Sequence, residues 1–573
     1  MDYQTSRKIP KRKDDRVILQ FDYDCFYAQV FENRNPALRA EPLGVRQKNI
    51  LATCNYNARR LGVRKLMLVS EAKKLCPNLI LVDGEDLTPF RDTSKLLFNF
   101  LRSRSWNNKV ERLGFDEVFM DVTDIIDYNL SCINKSSLDR SFFQISREDP
   151  LQGFECDLTS IAGCTEGDAP EGLDKENHTY LRLLLGSHLG LHLRRKLEDD
   201  FGYTSTCGIS TNKLLSKLVG ARNKPRNQTT LLALSDERVA AFMDAHELRK
   251  IPGIGTKTAD ILEAHVTAAG PLDSRNDDLA LTAEAKPAAS VVTAGQVRQC
   301  SSLSPGLLES LLGGPGAEKG VGGRVWGLLH GVEPAEIREA SDYPSQISIE
   351  DTYKGLKTLS EITHELKKLS GSLLRRMRID LVVDADDEHR TYRWLAKPKT
   401  LRLTIRSWPP AGVGQSQNFS RVSRSGPLPS FVFDTGAEVE HLAERLVAEA
   451  LLPLFQRFPT EKSNHWNLQL INICVANLAP GAADDKTGAG RDIALMFRRQ
   501  DEALRPWRVV EDEGGHDEND THHRNQESAE TDEEDEEDDS TWGGAGVPAC
   551  PICGHSIPQF AQAAHARFHE LDD

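Results

Sequence analysis

Two separated stretches, RVILQFDYD (residues 16–24) and ERLGFDEVFMD (residues 111–121), limit what this chain can fold into. The first alternates as a strand, with Val17, Leu19 and Phe21 on one face and Ile18, Gln20, Asp22 and Asp24 on the other. The second puts Asp116, Glu117 and Asp121 on a further strand pair. If the two lie side by side, three or more carboxylates converge without an equal number of Lys or Arg from the same segments. Their repulsion is costly unless hard cations sit between them. Oxygen-only ligation of this kind suits paired magnesium ions in an in-line phosphoryl displacement. The competing reading is plain: such acids often only cap strands and turns.

At 573 residues the chain is too long for one core, so several domains are expected. No apolar run reaches the roughly 18 residues of a membrane span, and the start, MDYQTSRKIPKRKDDR, lacks a secretory signal. No membrane association is expected. The formal charge of −15 is concentrated: residues 511–540 hold sixteen Asp and Glu against one Arg, which leaves the remainder neutral and free to carry local basic faces. A like-charged block of this kind repels itself and reads as a solvated linker. Most of the eleven cysteines are scattered without framework spacing and read as reduced thiols. The cluster Lys8, Lys11, Arg12, Lys13 reads as a nuclear address or as a solvated basic terminus.

Along the chain, strands are expected at ILATCNY, LILVDG and YTSTCGIS, and helices near NARRLGV, SEAKKLC, DTSKLLFNFLRS, HTYLRLLLGSHLGLHLRRKLEDDFG and NKLLSKLVGARN. Residues 125–178, rich in Ser, Asp and Gly, read as a surface insertion, and 264–295 as a second, looser one. From 345 to 477, four strand-like runs and two helical ones read as a compact sheet-and-helix domain.

TCNYNARRLGVRK brings Tyr56, Arg59, Arg64 and Lys65, and NKPRNQ brings Lys224, cations of the kind that clamp a triphosphate; each alone reads equally as a solvated surface cation. HELRKIPGIGTKTADILEAH reads as helix, glycine hairpin, helix. Gly253 and Gly255 there let backbone amides approach a phosphate, and Lys257 adds charge near a helix start.

DYDCFYAQV, PLGVRQKNILATCNYNARRLGVRKLM, ERLGFDEVFMDVT, CGISTNKLLSKLVGARNKPRNQT and LRKIPGIGTKTADIL, in this order and spacing, resemble the Y-family translesion DNA polymerases, the iota branch more than eta. The resemblance covers residues 16–477 and implies an α+β, multidomain right hand. After a basic N-terminal segment (1–15), it implies a palm from 16–27 and 91–232, fingers from 28–90, a thumb from 233–340 and a little finger from 345–478. By position, Asp22, Asp116 and Glu117 match the metal ligands, with the Tyr23 carbonyl as a backbone ligand for magnesium or manganese, and Asp24 matches a structural position. Tyr27 matches the steric gate against a ribose 2′-hydroxyl. Tyr56, Arg59 and Lys224 match dNTP triphosphate contacts, aided by the amides of Cys25 and Phe26, while Gln47, Lys48 and Ile50 match the roof over the nascent base pair. Primer–template DNA and dNTPs are the implied partners, a monomer acting in the nucleus the implied setting, and low-fidelity bypass synthesis the implied activity. An eta-like, more accurate enzyme and a non-catalytic fork scaffold stand as alternatives.

Beyond residue 478 the sequence offers a linker (479–544) and a terminal segment (545–573). Cys550, Cys553, His565 and His569 have the spacing of a tetrahedral zinc site, with His555 a bystander. Its position resembles the ubiquitin-binding fingers of Y-family polymerases, although Arg567 stands where an Asp usually contacts ubiquitin. Residues 490–500, GRDIALMFRRQ, space Ile493, Met496 and Phe497 like a sliding-clamp box without its leading Gln.

Overall fold

The computed structural model describes residues 7–13, 15–134, 136–167, 177–269, 292–314, 316–384, 392–408, 421–458 and 466–480. The zinc-site residues Cys550, Cys553, His565 and His569, and the clamp-like stretch 490–500, lie outside them. The chain forms two compact units that divide after Ala340.

In the first unit, strand β1 (Ile18–Tyr23) runs into α1 (Phe26–Arg34). A small three-stranded sheet follows, made of β2 (Leu43–Gln47), β3 (Ile50–Cys54) and β4 (Ile80–Asp83). Helices α2 (Tyr56–Arg60) and α3 (Val69–Leu75) pack a separate core of Leu51, Ala58, Val63, Ala72 and Leu79 with it. Next come α4 (Thr88–Arg102), β5 (Val110–Leu113), β6 (Glu117–Asp121), α5 (Thr123–Cys132), β7 (Ser141–Gln144), β8 (Gly153–Cys156) and β9 (Cys164–Glu166). The 24-residue α6 (His178–Phe201) follows, then β10 (Ser205–Ser210), α7 (Lys213–Gly220) and β11 (Gln228–Leu231). Six of these strands make one sheet in the order β5-β6-β1-β10-β11-β9. β1 is central and antiparallel to both neighbours, with Asp22 opposite Glu117 on β6 and Thr206 on β10.

β1 is buried on both faces: Ile18 is as fully covered as Leu19, and sits in a small cluster with Phe119 and Ile337. The strand also stops at Tyr23, so Asp24 does not continue the face of Asp22. α7 lies close against β10 because both carry glycine at the crossing: a Cβ on Gly208 would run into the Ser216 carbonyl oxygen.

The described part of the expected surface insertion, residues 125–167, is built into the fold. The β7–β8 hairpin buries Phe143, Leu138, Ile145 and Leu158 in the main core, and β9 pairs in parallel with β11 as the edge of the large sheet. Strands of three or four residues are too short to show a period, which is why composition alone misleads here.

A helical bundle completes this unit: α8 (Asp236–Asp244), α9 (Thr256–Ala269), α10 (Ala294–Gln299), α11 (Pro305–Leu312) and α12 (Val321–Leu329) around Val239, Leu262, Val297 and Trp326. The second expected insertion is narrower than 264–295 within the described residues, since α9 runs to Ala269 and Thr293 caps α10 with a capping box.

The second unit is a four-stranded sheet in the order β12-β17-β15-β16, built from β12 (Gln346–Leu356), β15 (Ala396–Ser407), β16 (Val422–Pro427) and β17 (Leu468–Pro480). A short hairpin, β13 (Val382–Asp384) with β14 (Tyr392–Trp394), accompanies it. α13 (Leu359–Leu381), started by the Thr358/Glu361 capping box, packs with α14 (Val439–Leu446), which a wider π turn joins to α15 (Leu452–Phe455). The two-helix, four-strand arrangement follows the sequence reading. Among the described residues no helix is long and apolar enough to cross a membrane.

Candidate active site

The register of β1 against β6 settles the opening question of the sequence. Asp22 faces Glu117 across the ladder, and the N–H of Tyr23 donates to the Asp116 carbonyl at 2.9 Å, so the three acids meet at one end of the sheet. Burial, and then the charges of Asp22 and Glu117, push the Asp116 carboxyl up to about 6. Asp121 is not part of this group. It sits at the far end of β6, opposite Ile18, where its carboxylate accepts from the N–H and hydroxyl of Thr123.

Two ammonium groups oppose the acids: Lys224 Nζ lies 2.7 Å from Asp22 Oδ1, and Lys217 Nζ 2.7 Å from Glu117 Oε2. Lys217 escaped the sequence reading. Its signal was available, since Lys213 and Lys217 stand four apart on α7 and so share a helix face, and Lys213 likewise pairs with Glu111 at 2.8 Å. Asp22, Asp116 and Glu117 lie near one another, but among the described residues no three His, Cys, Asp or Glu side chains are gathered closely enough to hold a metal ion as they stand, and Lys224 and Lys217 pair with two of the acids.

Asp24 turns the other way and is buried. Its carboxylate accepts from the hydroxyls of Thr204 (3.0 Å) and Thr206 (3.1 Å) and from the N–H of Arg226 (2.9 Å). Burial still outweighs these bonds and raises its pKa. The Gln29 carboxamide braces the same corner, accepting from Thr204 N–H at 2.8 Å and donating to the Asp24 carbonyl.

Cys25, in the left-handed region (φ 46°), precedes α1, which has no side-chain cap, so its first amides keep their donors available. The Tyr27 ring stacks flat on Phe90, 3.9 Å between centroids and 7° between planes, with Phe115 at 6.3 Å. Asn55 fixes α2: its Oδ1 accepts from Ala58 N–H (3.0 Å) and Leu43 N–H (3.1 Å), and its amide donates to Glu32 (2.9 Å). That anchoring sets Tyr56 beside Arg59, whose guanidinium lies 4.8 Å above the tyrosine ring.

These pieces line one open cleft of about 940 Å³. Asp22, Tyr23, Cys25, Phe26, Tyr27, Gln47, Ile50, Tyr56, Arg59, Asp116, Glu117 and Lys224 all border it, together with Arg64, Lys65 and, unforeseen, Leu66 and Phe115. Lys48 does not border it; its N–H is held by Glu85 Oε1 at 3.0 Å.

Gly253, Gly255 and Lys257 stand apart, in the helical bundle. The expected first helix of that motif is a single 3-10 turn, Leu248–Lys250, before α9. Gly253 has φ +84°, and a Cβ there would come within 2.8 Å of Leu328, whereas one on Gly255 would meet nothing within 4 Å.

Comparison with known proteins agrees with this geometry. Residues 21–221 match the impB/mucB/samB family and residues 344–488 its C-terminal domain, together more than half of the chain. The chain is 32% identical to human DNA polymerase iota over 463 residues, covering 81% of this chain and 52% of that one. It is 40% identical to Drosophila melanogaster DNA polymerase iota over 248 residues, covering 43% and 30%. To Drosophila melanogaster DNA polymerase eta it is 29% identical, covering 44% and 31%. The matched region spans about half the length, or less, of these curated relatives. The chain belongs to the impB/mucB/samB family, the Y-family polymerases that its motifs resemble, and lies near the members named iota.

Proposed function

We propose that this chain is a template-directed DNA polymerase that copies across damaged template with low fidelity, in the manner of the iota branch. The observation that carries the reading is the meeting of Asp22, Asp116 and Glu117 in a cleft that also holds Tyr56, Arg59 and Lys224. In hand terms, the six-stranded sheet is the palm, the three-stranded sheet with α2 and α3 the fingers, the bundle α8 to α12 the thumb, and the second unit the little finger.

The donor set fits hard divalent cations: the acids and the Tyr23 carbonyl offer oxygen only, and the burial and neighbouring negative charge that raise Asp116 are offset by positive charge. Magnesium or manganese bound there would activate the primer 3′-oxygen and steady the leaving pyrophosphate. The chain's own groups do the rest. Lys224, Arg59 and the Tyr56 hydroxyl hold the triphosphate, and the free amides at the start of α1 add donors. Tyr27, locked by Phe90, lies under the sugar and excludes a 2′-hydroxyl. Gln47, Lys48 and Ile50 roof the nascent pair, the Lys48 backbone N–H being held by Glu85. Gly253, Gly255 and Lys257 grip the DNA backbone without reading sequence.

Recruitment belongs to the tail in this reading. Cys550, Cys553, His565 and His569 bind zinc, the folded finger takes ubiquitin or a ubiquitinated clamp, and residues 490–500 take the clamp itself, in the nucleus. Its support is ligand spacing alone.

Primer extension opposite each template base, with magnesium and with manganese, tests the whole. Base-dependent misinsertion is the expected result. Uniform accuracy favours an eta-like enzyme, and no synthesis a scaffold. Extension by an Asp116→Ala, Glu117→Ala variant would overturn the metal assignment.

A further inference from the structure

The basic stretch ahead of β1 does not run free. Three arginines, Arg12 and Arg16 half-buried and Arg7 exposed, each reach backbone carbonyls in a different part of the helical bundle. Arg16 donates to Glu333 O at 3.1 Å and Ala335 O at 3.0 Å, where the chain leaves α12. Arg12 pairs with Asp236 at 3.2 Å and donates to Ala233 O at 3.4 Å, where the chain enters α8; its side chain is only 4% exposed. Arg7 donates to Arg298 O at 2.6 Å and Cys300 O at 3.3 Å, at the end of α10, and lies 5.7 Å from the centre of the Trp326 ring on α12. Directly after Arg16 the chain is fixed to the large sheet, for Val17 N–H donates to the Thr123 hydroxyl and Val17 O accepts from Val122 N–H, both at 3.0 Å.

We infer that residues 7–13 with Asp15 and Arg16 form a strap that ties the central strand of the sheet to the entry, the exit and the α10 end of the helical bundle, and so stiffens the bundle's orientation. The bundle shares one core with Leu214, Leu215, Leu218 and Val219 of α7 and Leu231 of β11, and the Asn212 amide donates to Gly331 O at 3.0 Å, so its joint to the sheet is packed on that side. The strap ties the chain's entry to and exit from the bundle to β1, and so stiffens that joint from a second direction. Arginine suits the task because one planar guanidinium can bridge two carbonyls with charge-assisted bonds, which a lysine ammonium does with less directional force. Lys8, Lys11 and Lys13, between the arginines, are exposed. The arginines are the anchors and the lysines the exposed charge, although Arg7 is itself exposed, and a nuclear address made from this stretch would have its arginines engaged.

Under the polymerase reading, on which this consequence rests, the bundle carries the Gly253 hairpin that grips the duplex, so the strap sets how long the DNA is held. The test is hydrogen exchange on the full chain carrying Arg7→Ala, Arg12→Ala and Arg16→Ala. The expected result is exchange about tenfold faster in α8, α10 and α12, with β1, β6 and β10 unchanged. Primer–template dissociation should quicken by a similar factor while single-turnover incorporation keeps its rate. If the triple variant does not fold, Arg7→Ala alone, which removes the most distant tie, gives the same readouts. Arg12→Lys should fall between wild type and Arg12→Ala, because charge is kept and the fork is lost. The matched control is Lys8→Ala, Lys11→Ala, Lys13→Ala, expected to change neither readout. Unchanged exchange in the bundle overturns the strap, as does a lysine variant that releases DNA as fast as the arginine one. Faster bundle exchange in a chain that binds no primer–template upholds the strap and counts instead against the polymerase reading.

Discussion

Lys224 Nζ and Asp22 Oδ1 stand 2.7 Å apart, an ammonium from the loop after α7 set against a carboxylate on the central strand. A lysine in this position can serve either the acid or a phosphate brought beside it. Replacing Lys224 with Ala should lower kcat/KM for nucleotide incorporation by about 10–100-fold, the worth of one charge-assisted hydrogen bond of about 1.5–3 kcal/mol. Steady-state single-nucleotide kinetics on one template base checks it.

Tyr27 stacks on Phe90, and under the proposed function that contact holds its ring beneath the sugar of the incoming nucleotide. Tyr27→Ala should cut the preference for deoxynucleotides over ribonucleotides at least about tenfold, because the clash with the 2′-hydroxyl is removed. Paired incorporation assays with dNTP and rNTP read this directly. An unchanged ratio would release Tyr27 from the gate.

The two hairpin glycines should behave differently. Gly253→Ala meets both a positive φ and Leu328, and should destabilise by about 1–3 kcal/mol. Gly255→Ala has open space and should leave Tm unchanged, and under the proposed grip on the DNA backbone it should weaken primer–template binding. Thermal unfolding and DNA titration of both variants separate the two effects.

Phe143 is 1% exposed in the β7–β8 hairpin. Phe143→Ala should cost about 3–5 kcal/mol, the range for emptying an aromatic site in a core, and should lower the urea midpoint accordingly. A change near zero would mean that the hairpin is dispensable decoration.

His192, stacked 4.2 Å from Phe154, has its pKa lowered from 6.5 to about 4 by burial, with Lys196, Arg104 and Arg195 adding repulsion. The unfolded chain therefore takes up the proton more readily than the folded one. This contribution to stability is complete above pH 6.5 and is lost as the pH falls from there toward 4. His192→Phe keeps the stacking and cannot be protonated. Its Tm should equal that of the wild type near about pH 7.5 and exceed it near about pH 5.

What the residues disclosed in advance followed from pattern strength. RVILQFDYD and ERLGFDEVFMD alternate over enough positions to mark strands, and their acids could be placed together before any register was known. The long helices α6 and α13 announced themselves by spacing in the same way. Asp24 was misassigned to the face of Asp22 because a strand's end is set by its neighbours, here Thr204 and Thr206 on or beside β10, and not by its own alternation. The hairpin between residues 141 and 156 stayed hidden because its strands have four residues each, and its burial comes from partners distant in the chain. Lys217 was passed over because a lone lysine in a helix usually means solvent; only the opposing Glu117 gives it meaning.

The carboxylate of Asp24 joins segments 202 residues apart, receiving the Arg226 amide just past Lys224 while its own backbone continues from Asp22. The spacing between acid and base is thereby stitched through the floor of the sheet and owes nothing to the covalent path around it. The loops between those segments that carry neither the sheet nor the cleft can lengthen or shrink over evolutionary time, and the lysine still returns to the same strand.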